Sequence, residues 1–453
     1  MPDTNKARAK IRRLLVANRG EIAVRIIRSC REMGIETTAV CSTADRDSLH
    51  VRMADRSVCI GPAPSAKSYL AMDNIVMAAL HTNCDAIHPG VGFLSENAAF
   101  ARLVRDNGLV FIGPDPQVIE LLGDKVAARK TAGKYGLPVT PGTDPVNGED
   151  AAGAALLAQR LGFPVIIKAA AGGGGKGMRV VGKSEDLAEN IRLASREAEA
   201  HFADGTVFME KYLENPRHVE LQILADGNGN VAVLGERDCT VQKNHQKLIE
   251  ESPSPAVTDT MRAAMAAGAV PLFRELRYRG AGTIEFLADG GAFYFMEVNA
   301  RVQVEHPVSE LVSGVDIIRQ QILACTEGRM ELDPDAVALN GWSIECRINA
   351  LSPGTITRLE IPGGPGLRFD SFLYNGCSVQ PHYDSMIAKL IVHGTDRKHA
   401  LARMDRALRE LTVGGIKTNI ERQRWIINHP VFRGGVFGTS WYADIEKEVE
   451  HGR

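Results

Sequence analysis

The chain has 453 residues, a formal net charge of −2 and no long charge block, which argues against bulk attraction to nucleic acid or to a membrane surface. That length exceeds one ordinary hydrophobic core, so roughly two to four domains are expected. The eight cysteines form no CxxC pair, and no apolar run is long enough to span a bilayer; the composition points to reduced thiols in a cytoplasmic protein, not to a zinc site or a disulfide framework.

Residues 1–13 are basic but lack an apolar signal core. After them strand and helix alternate, the pattern of a parallel sheet. Residues 11–17 read as the first strand. Asn18-Arg19-Gly20 then turns into a helix with Ile22, Val24, Ile26 and Ile27 on its apolar side. Further strands are predicted at 37–41 and 57–60. No GxGxxG follows the first strand, so a dinucleotide role is weakly supported. In the stretch 85–97, Gly90 and Gly92 permit a tight loop near a ligand, but a plain strand-to-helix turn is the better reading of the spacing. Ser95 is the predicted N-cap of the next helix, and Asn107-Gly108 its end.

Gly123-Asp124-Lys125 opens a second region. Residues 163–169 read as a buried strand carrying Lys168 near its end. Four consecutive glycines, 172–175, follow, then Lys176-Gly177 and a strand at 178–181. Such a run lets the backbone approach a phosphate and point N–H groups at it. It lacks the GK[ST] ending of a Walker A loop. A flexible hairpin tip is the bland alternative; the adjacent lysine favours phosphate binding. Ser184 is the predicted cap of the next helix. Residues 207–213 form an apolar strand with a polar edge, equally able to offer backbone groups to a base or to be an ordinary strand end. Residues 217–223 alternate as a strand, and 243–247 read as a basic loop.

The stretch 283–305 carries the densest chemistry. Two β-rich runs flank Gly290-Gly291, a hairpin signal. A three-residue turn at 290–292 would set Asp289 opposite Phe293 and Glu285 opposite Glu297. Facing carboxylates repel unless a cation lies between them, and Mg²⁺ is commonly held by one or two carboxylates plus phosphates. If the strand stays extended, Glu297, Asn299, Arg301, Gln303 and Glu305 share one face, which begins at Phe293 and Phe295. A polar row leaving a buried start resembles the mouth of a site. In the last region, 341–349 reads as a strand and 396–411 as an amphipathic helix with Ala400, Met404, Ala407 and Leu411 in the core.

Taken together, Ala17-Asn18-Arg19-Gly20-Glu21-Ile22-Ala23, His88-Pro89-Gly90, Phe93-Leu94-Ser95-Glu96-Asn97, Gly123-Asp124-Lys125, the glycine run, Glu236-Arg237-Asp238-Cys239, residues 297–307, Glu345-Cys346-Arg347-Ile348-Asn349-Ala350, Tyr383-Asp384-Ser385-Met386 and 414–419 resemble the biotin carboxylase family of the ATP-grasp superfamily. The resemblance covers nearly the whole chain. It implies an α/β and α+β architecture: a Rossmann-like N-terminal (pre-ATP-grasp) domain at 1–122, an ATP-grasp domain at 123–331 with a mobile glycine-rich lid around 140–212, and a C-terminal α+β domain at 332–453.

The resemblance also implies site residues. ATP would be held by Lys125, Lys168, Gly174, Gly175, Glu210, Lys211, Tyr212, Leu213, His218, Gln242, His245, Glu285, Leu287 and Glu297. Glu285 and Glu297 would bind Mg²⁺ or Mn²⁺, with Asn299 at a second metal site. Lys247, Arg301, Gln303, Val304 and Glu305 would hold bicarbonate. Glu305 would be the general base, and Arg347 would meet the biotin enolate. The reaction implied is ATP- and bicarbonate-dependent carboxylation of biotin through carboxyphosphate, with a homodimer formed through the C-terminal region.

The sequence departs from the family in places. Val91 stands where relatives often carry a tyrosine near biotin, and Lys176 where an arginine is common. Only Leu351-Ser352-Pro353-Gly354 follows Ala350, where many relatives have several more residues; this tilts the reading toward an acetyl-CoA carboxylase component. No Met-Lys-Met biotinylation site occurs. Biotin should therefore arrive on a separate carrier protein and leave to carboxyltransferase subunits. A biotin carboxylase subunit acting for another acyl-CoA or for pyruvate, an ATP-grasp carboxylate–amine ligase, and a non-catalytic nucleotide-binding subunit are the rival readings.

Overall fold

The computed structural model describes residues 10–146, 151–170, 178–202, 204–244 and 246–450. A five-stranded parallel sheet forms the N-terminal part, in the order β3-β2-β1-β4-β5. Its strands are β1 (Arg13–Val16), β2 (Glu36–Ser42), β3 (Arg56–Gly61), β4 (Ala86–His88) and β5 (Val110–Phe111). The helix Gly20–Glu32 follows β1 and buries Ile22, Val24, Ile26 and Ile27, as the period predicts. Gly20 starts it at φ +67°, a conformation that favours glycine.

The helix Ala98–Asp106 is capped by Asn97, whose side chain accepts from the Phe100 amide at 2.8 Å. Ser95 is therefore not the cap. Its amide bonds the Gly92 carbonyl at 2.9 Å, and the Asn97 amide bonds that of Leu94 at 3.2 Å. These turns delay helix onset by two residues. The predicted end at Asn107 and Gly108 holds.

A small antiparallel sheet, β7-β6-β8, joins β6 (Val165–Ala169), β7 (Arg179–Val181) and β8 (Val207–Lys211). Helices Ala151–Leu161 and Leu187–Phe202 pack on it. Ser184 lies inside a 3₁₀ turn, Ser184–Asp186, flanked by Lys183, and does not cap the α-helix.

The largest element is an eight-stranded sheet, ordered β13-β12-β9-β10-β11-β14-β19-β17. It contains β9 (Arg217–Asp226), β10 (Val231–Lys243), β11 (Gln246–Ser252), β12 (Arg279–Asp289), β13 (Ala292–Asn299) and β14 (Trp342–Asn349). The pairs β15 (Gly354–Thr355) with β18 (Ser378–Val379) and β16 (Arg358–Glu360) with β20 (Thr412–Gly414) form side ribbons. β17 (Leu367–Ser371) and β19 (Met386–Gly394) complete the large sheet. The sheet therefore runs without a break from the second predicted region into the third. The helix Arg397–Glu410, capped by Asp396, buries Ala400, Met404 and Ala407 as expected, and Leu411 just beyond it is also buried. Among the described residues no helix is long and apolar enough to cross a membrane.

Candidate active site

The β12–β13 hairpin faces Glu285 with Glu297, but not by the predicted turn. Asp289 pairs with Ala292, so the turn is the two residues Gly290 and Gly291. Both have positive φ, +56° and +85°, as a type I′ turn requires. That register alone would misalign the acids. A bulge between Glu285 and Phe286 restores their pairing. It also reverses the face assignment. Phe295 pairs with Phe286 while Glu297 pairs with Glu285, so Phe293 and Phe295 lie opposite the acids and pack around Phe286.

β13 ends at Asn299, so the row to Glu305 is not one extended strand. The side chains converge nevertheless. Asn299 Nδ2 and Gln303 Nε2 donate to Glu285 Oε1 at 2.9 and 3.2 Å. Arg301 reaches Gln303 Oε1 at 2.9 Å and Asn299 Oδ1 at 3.1 Å. The Val304 carbonyl accepts from the buried Lys389 ammonium at 2.7 Å.

Lys247 is the hub. It lies on β11, just past a hairpin tip, not in the loop that the sequence suggests. Its ammonium donates to Glu305 at 2.6 Å, Glu220 at 2.7 Å and Glu285 at 3.1 Å. Burial opposes its charge, but the surrounding acids hold its pKa well above the ordinary lysine value. Burial likewise favours protonation of Glu305; Lys247 and Arg347 outweigh it and keep this carboxylate ionised. Arg347 donates to Glu305 at 2.9 Å and to Glu250 at 2.6 Å.

The paired acids differ sharply. Glu285 receives Lys247, Asn299, Gln303 and, at 2.9 Å, His218. Lys247 and His218 overcome the effect of burial and depress its pKa. Glu297 has no hydrogen bond or ion pair among the described residues; burial and then Glu285 raise its pKa, against Lys125. A carboxylate without a donor, facing an ionised one, fits a hard divalent cation.

On the nucleotide side, Glu210 holds both Arg129, at 3.0 Å, and Lys168. Lys125 begins the helix Lys125–Lys134, and burial holds its pKa below the usual lysine range despite nearby Glu297. Gln242 Nε2 lies 2.6 Å from His218 Nδ1. Leu287 is half-buried and sits opposite His218 across β12 and β9. Tyr212 and Leu213 are half-buried just past β8, and the Tyr212 amide bonds the Pro164 carbonyl at 3.1 Å. The Lys211 ammonium instead turns to the carbonyls of Gly162 and Phe163, 3.0 Å from each. Gly174, Gly175 and His245 lie outside the described residues.

Sequence reasoning missed four supporting residues. Glu220 and the fully buried Arg237 meet at 2.5 Å behind Lys247. Glu96 binds Arg301 at 2.7 Å, and Glu250 anchors Arg347. His218, Glu220 and Gln222 alternate with Val219, Leu221 and Ile223, and every one of them is buried. The alternation marks a polar face, but that this face is interior is set by the neighbouring strands β10 and β12.

Three family descriptions match the chain in succession. "Biotin carboxylase, N-terminal domain" matches residues 10–119, "Carbamoyl-phosphate synthase L chain, ATP binding domain" residues 124–330, and "Biotin carboxylase C-terminal domain" residues 345–444. The biotin carboxylase of Haemophilus influenzae is 50% identical over 446 residues, covering 97% of this chain and 99% of its own. The chain belongs to the biotin carboxylase family. It has the family's ATP-grasp fold and is a ligase for ATP-dependent biotin carboxylation. Among solved structures, the Campylobacter jejuni biotin carboxylase, a β,γ-ATP complex, has a TM-score of 0.93 at 45% identity, covering 96% of this chain and 99% of that one. The biotin carboxylase domain dimer of Hydrogenobacter thermophilus 2-oxoglutarate carboxylase, with MgADP, ADP and bicarbonate, has a TM-score of 0.92 at 42% identity, with coverage of 97% and 98%.

Proposed function

We propose that the Lys247–Glu305–Arg347 cluster activates bicarbonate against ATP held beside Glu285 and Glu297, and carboxylates biotin presented by a carrier protein. The observation that carries this reading is one ionised carboxylate, Glu305, held between two cations next to a facing acid pair. Lys247, Arg301, Gln303 and the Val304 amide hold the bicarbonate. Glu305 takes its proton as it attacks the γ-phosphorus of ATP, whose bond to the bridging oxygen breaks and releases ADP. General base assistance of this kind contributes about 10²–10⁴-fold. Lys125 and Lys168 meet the phosphate charge, together with the backbone at Gly174 and Gly175. Glu210, Lys211, Tyr212, Leu213, His218, Gln242, His245 and Leu287 surround the nucleoside. Phosphoryl transfer needs alignment and charge neutralisation more than covalent help.

Glu285, Glu297 and Asn299 are the residues that would hold Mg²⁺ or Mn²⁺. Bound there, the metal neutralises phosphate charge. Carboxyphosphate, the product of this step, is destroyed by water, so a lid over 140–212 that closes on the nucleotide protects it. Its decomposition gives CO₂ and phosphate, and the phosphate removes the ureido proton of biotin. Arg347 then faces the developing oxygen charge, a preorganised electrostatic role.

The reading extends to the assembly. The chain divides at about residues 122 and 331. It pairs with itself through the C-terminal region, a self-association in keeping with the Hydrogenobacter domain being a dimer, and works in the cytoplasm with a biotin carboxyl carrier protein and carboxyltransferase subunits. The first half-reaction of acetyl-CoA carboxylase in fatty acid synthesis is its place. The test supplies ATP, Mg²⁺, bicarbonate and free biotin. Phosphate release that requires bicarbonate and rises with biotin is expected; release independent of both would overturn the reading.

A further inference from the structure

Beneath Arg347 the large sheet carries two carboxyls that no step above uses. Glu250 on β11 and Glu345 on β14 are direct cross-strand partners. Their side chains therefore share one face, with Cβ atoms about 5 Å apart. Both residues are fully buried. Glu250 Oε1 accepts from Arg347 Nε at 2.6 Å, while its Oε2 and both oxygens of Glu345 have no hydrogen-bond partner among the described residues.

The charged and titratable groups around them are already committed. Lys247 and Arg347 both serve Glu305. Lys389, opposite Arg347 on β19, pairs with Glu21 of the helix Gly20–Glu32 at 3.1 Å. Arg368 on β17 pairs with Asp370 and Glu310. His306 is turned to the Gln303 carbonyl, and Cys239 and Cys346 are buried thiols. Among the described residues no uncommitted cation is left for a second ionised acid, and two facing carboxylates in a dry interior do not both ionise.

We propose that Glu250 and Glu345 hold one proton between them and act as the positioning pair for Arg347. With a single negative charge, the pair anchors Nε and Nη2, both 2.6 Å from Glu250 Oε1, while Nη2 still reaches Glu305 Oε2 at 2.9 Å. A second negative charge would draw the guanidinium into the sheet and cancel its field where biotin reacts. Burial, with the Glu305 charge, pushes Glu250 up to about 7 against Arg347; burial, with the Glu250 charge, pushes Glu345 well above the ordinary glutamate value against Lys389, which agrees with the geometry. The inference rests on Arg347 meeting biotin.

The test is difference infrared spectroscopy of the full chain across pH, beside kcat for biotin carboxylation. The wild type should show a protonated-carboxyl carbonyl band that fades at alkaline pH together with kcat, while KM for ATP holds. In Glu345→Gln that band should be missing and the alkaline decline of kcat displaced upward by about one pH unit or more. Glu345→Asp should restore both. No protonated-carboxyl band in the wild type, which needs no variant to fold, would overturn the proposal. So would an alkaline decline and a band that are unmoved in Glu345→Gln. A band that behaves as expected in an enzyme that never carboxylates biotin would instead remove the role of Arg347 and leave the shared proton standing.

Discussion

The parallel sheet buries Leu14, Leu15, Val16, Ala39 and Val40 along its strands, whereas the antiparallel sheet buries Glu220, Arg237, Glu250, Glu285, Glu345 and Lys389 along its own. Both are interior, but free energy enters them differently. Each buried leucine or valine of the first contributes about 1.5–3 kcal/mol by leaving water. In the second, the cost of drying the charges is offset by pairing, and the net is small. An interior so built is retained for chemistry: its ions are fixed, dry and ready for a charge that develops in the pocket. The first sheet should therefore respond to substitution in stability, and the second in rate.

The largest effect tests the polar sheet. Glu305→Gln should lower bicarbonate-dependent ATP cleavage by about 10²–10⁴-fold. ATP affinity, read by calorimetry, should change by less than about twofold, because ATP is held by other groups. A parallel collapse of ATP binding would mean that Glu305 is a structural ion and no base.

The mirror experiment is Leu15→Ala in β1, a wholly buried side chain in the apolar core. The expected cost is about 2–5 kcal/mol in a denaturant melt. The kcat of the protein that remains folded should match the wild type. A variant that keeps its stability but loses rate would dissolve the contrast between the sheets.

Acid sharpens the comparison from another side. His50 and His88, both fully buried in the N-terminal part, are pushed down by burial to about 4 and about 3, from an unfolded value of 6.5. Below 6.5 the unfolded chain takes up protons that the native state refuses, so stability is intact above that pH and is lost as pH falls through about 4 and then about 3. His50→Gln should flatten the pH 4–6.5 part of this loss, measured by thermal melts, without moving the pH profile of kcat.

How far the sequence reveals all this depends on what kind of interaction places a residue. The parallel sheet is legible because its strands and the helix Gly20–Glu32 follow simple apolar periods. The facing of Glu285 and Glu297 is legible in outcome but not in mechanism. A shorter turn and a bulge offset one another, and a bulge leaves no mark in a period-two pattern. The convergence of Arg301, Gln303 and Glu305 survives the end of β13 because side-chain hydrogen bonds, not strand geometry, gather them. Glu220 escaped notice because a charged residue on an alternating strand looks like a wet face, and Arg237 and Glu250 because runs of charge such as Glu236-Arg237-Asp238 and Glu250-Glu251 look the same. Only the neighbouring strands make that face dry. Ser95 and Ser184 misled because capping propensity is local, whereas helix onset here is set by the preceding turns.

The smallest expected effect separates a placed ion from a merely present one. Arg406 and Glu410 meet at 2.8 Å one helical turn apart, each 44% exposed. Solvent screens such a pair, and holding two long side chains costs entropy, so it contributes about 0.3–0.5 kcal/mol. Arg406 also bonds the Gly363 carbonyl at 3.1 Å, itself an exposed contact. Arg406→Ala should therefore lower the unfolding free energy by less than about 1 kcal/mol and leave kcat unchanged. Repeating the melt in high salt should shrink the difference further. The Lys247–Glu305 contact is only slightly shorter, at 2.6 Å, but its side chains are 12% and 1% exposed. If the two pairs proved equally sensitive to salt, the polar sheet would not be the dry, preorganised interior on which its chemistry depends.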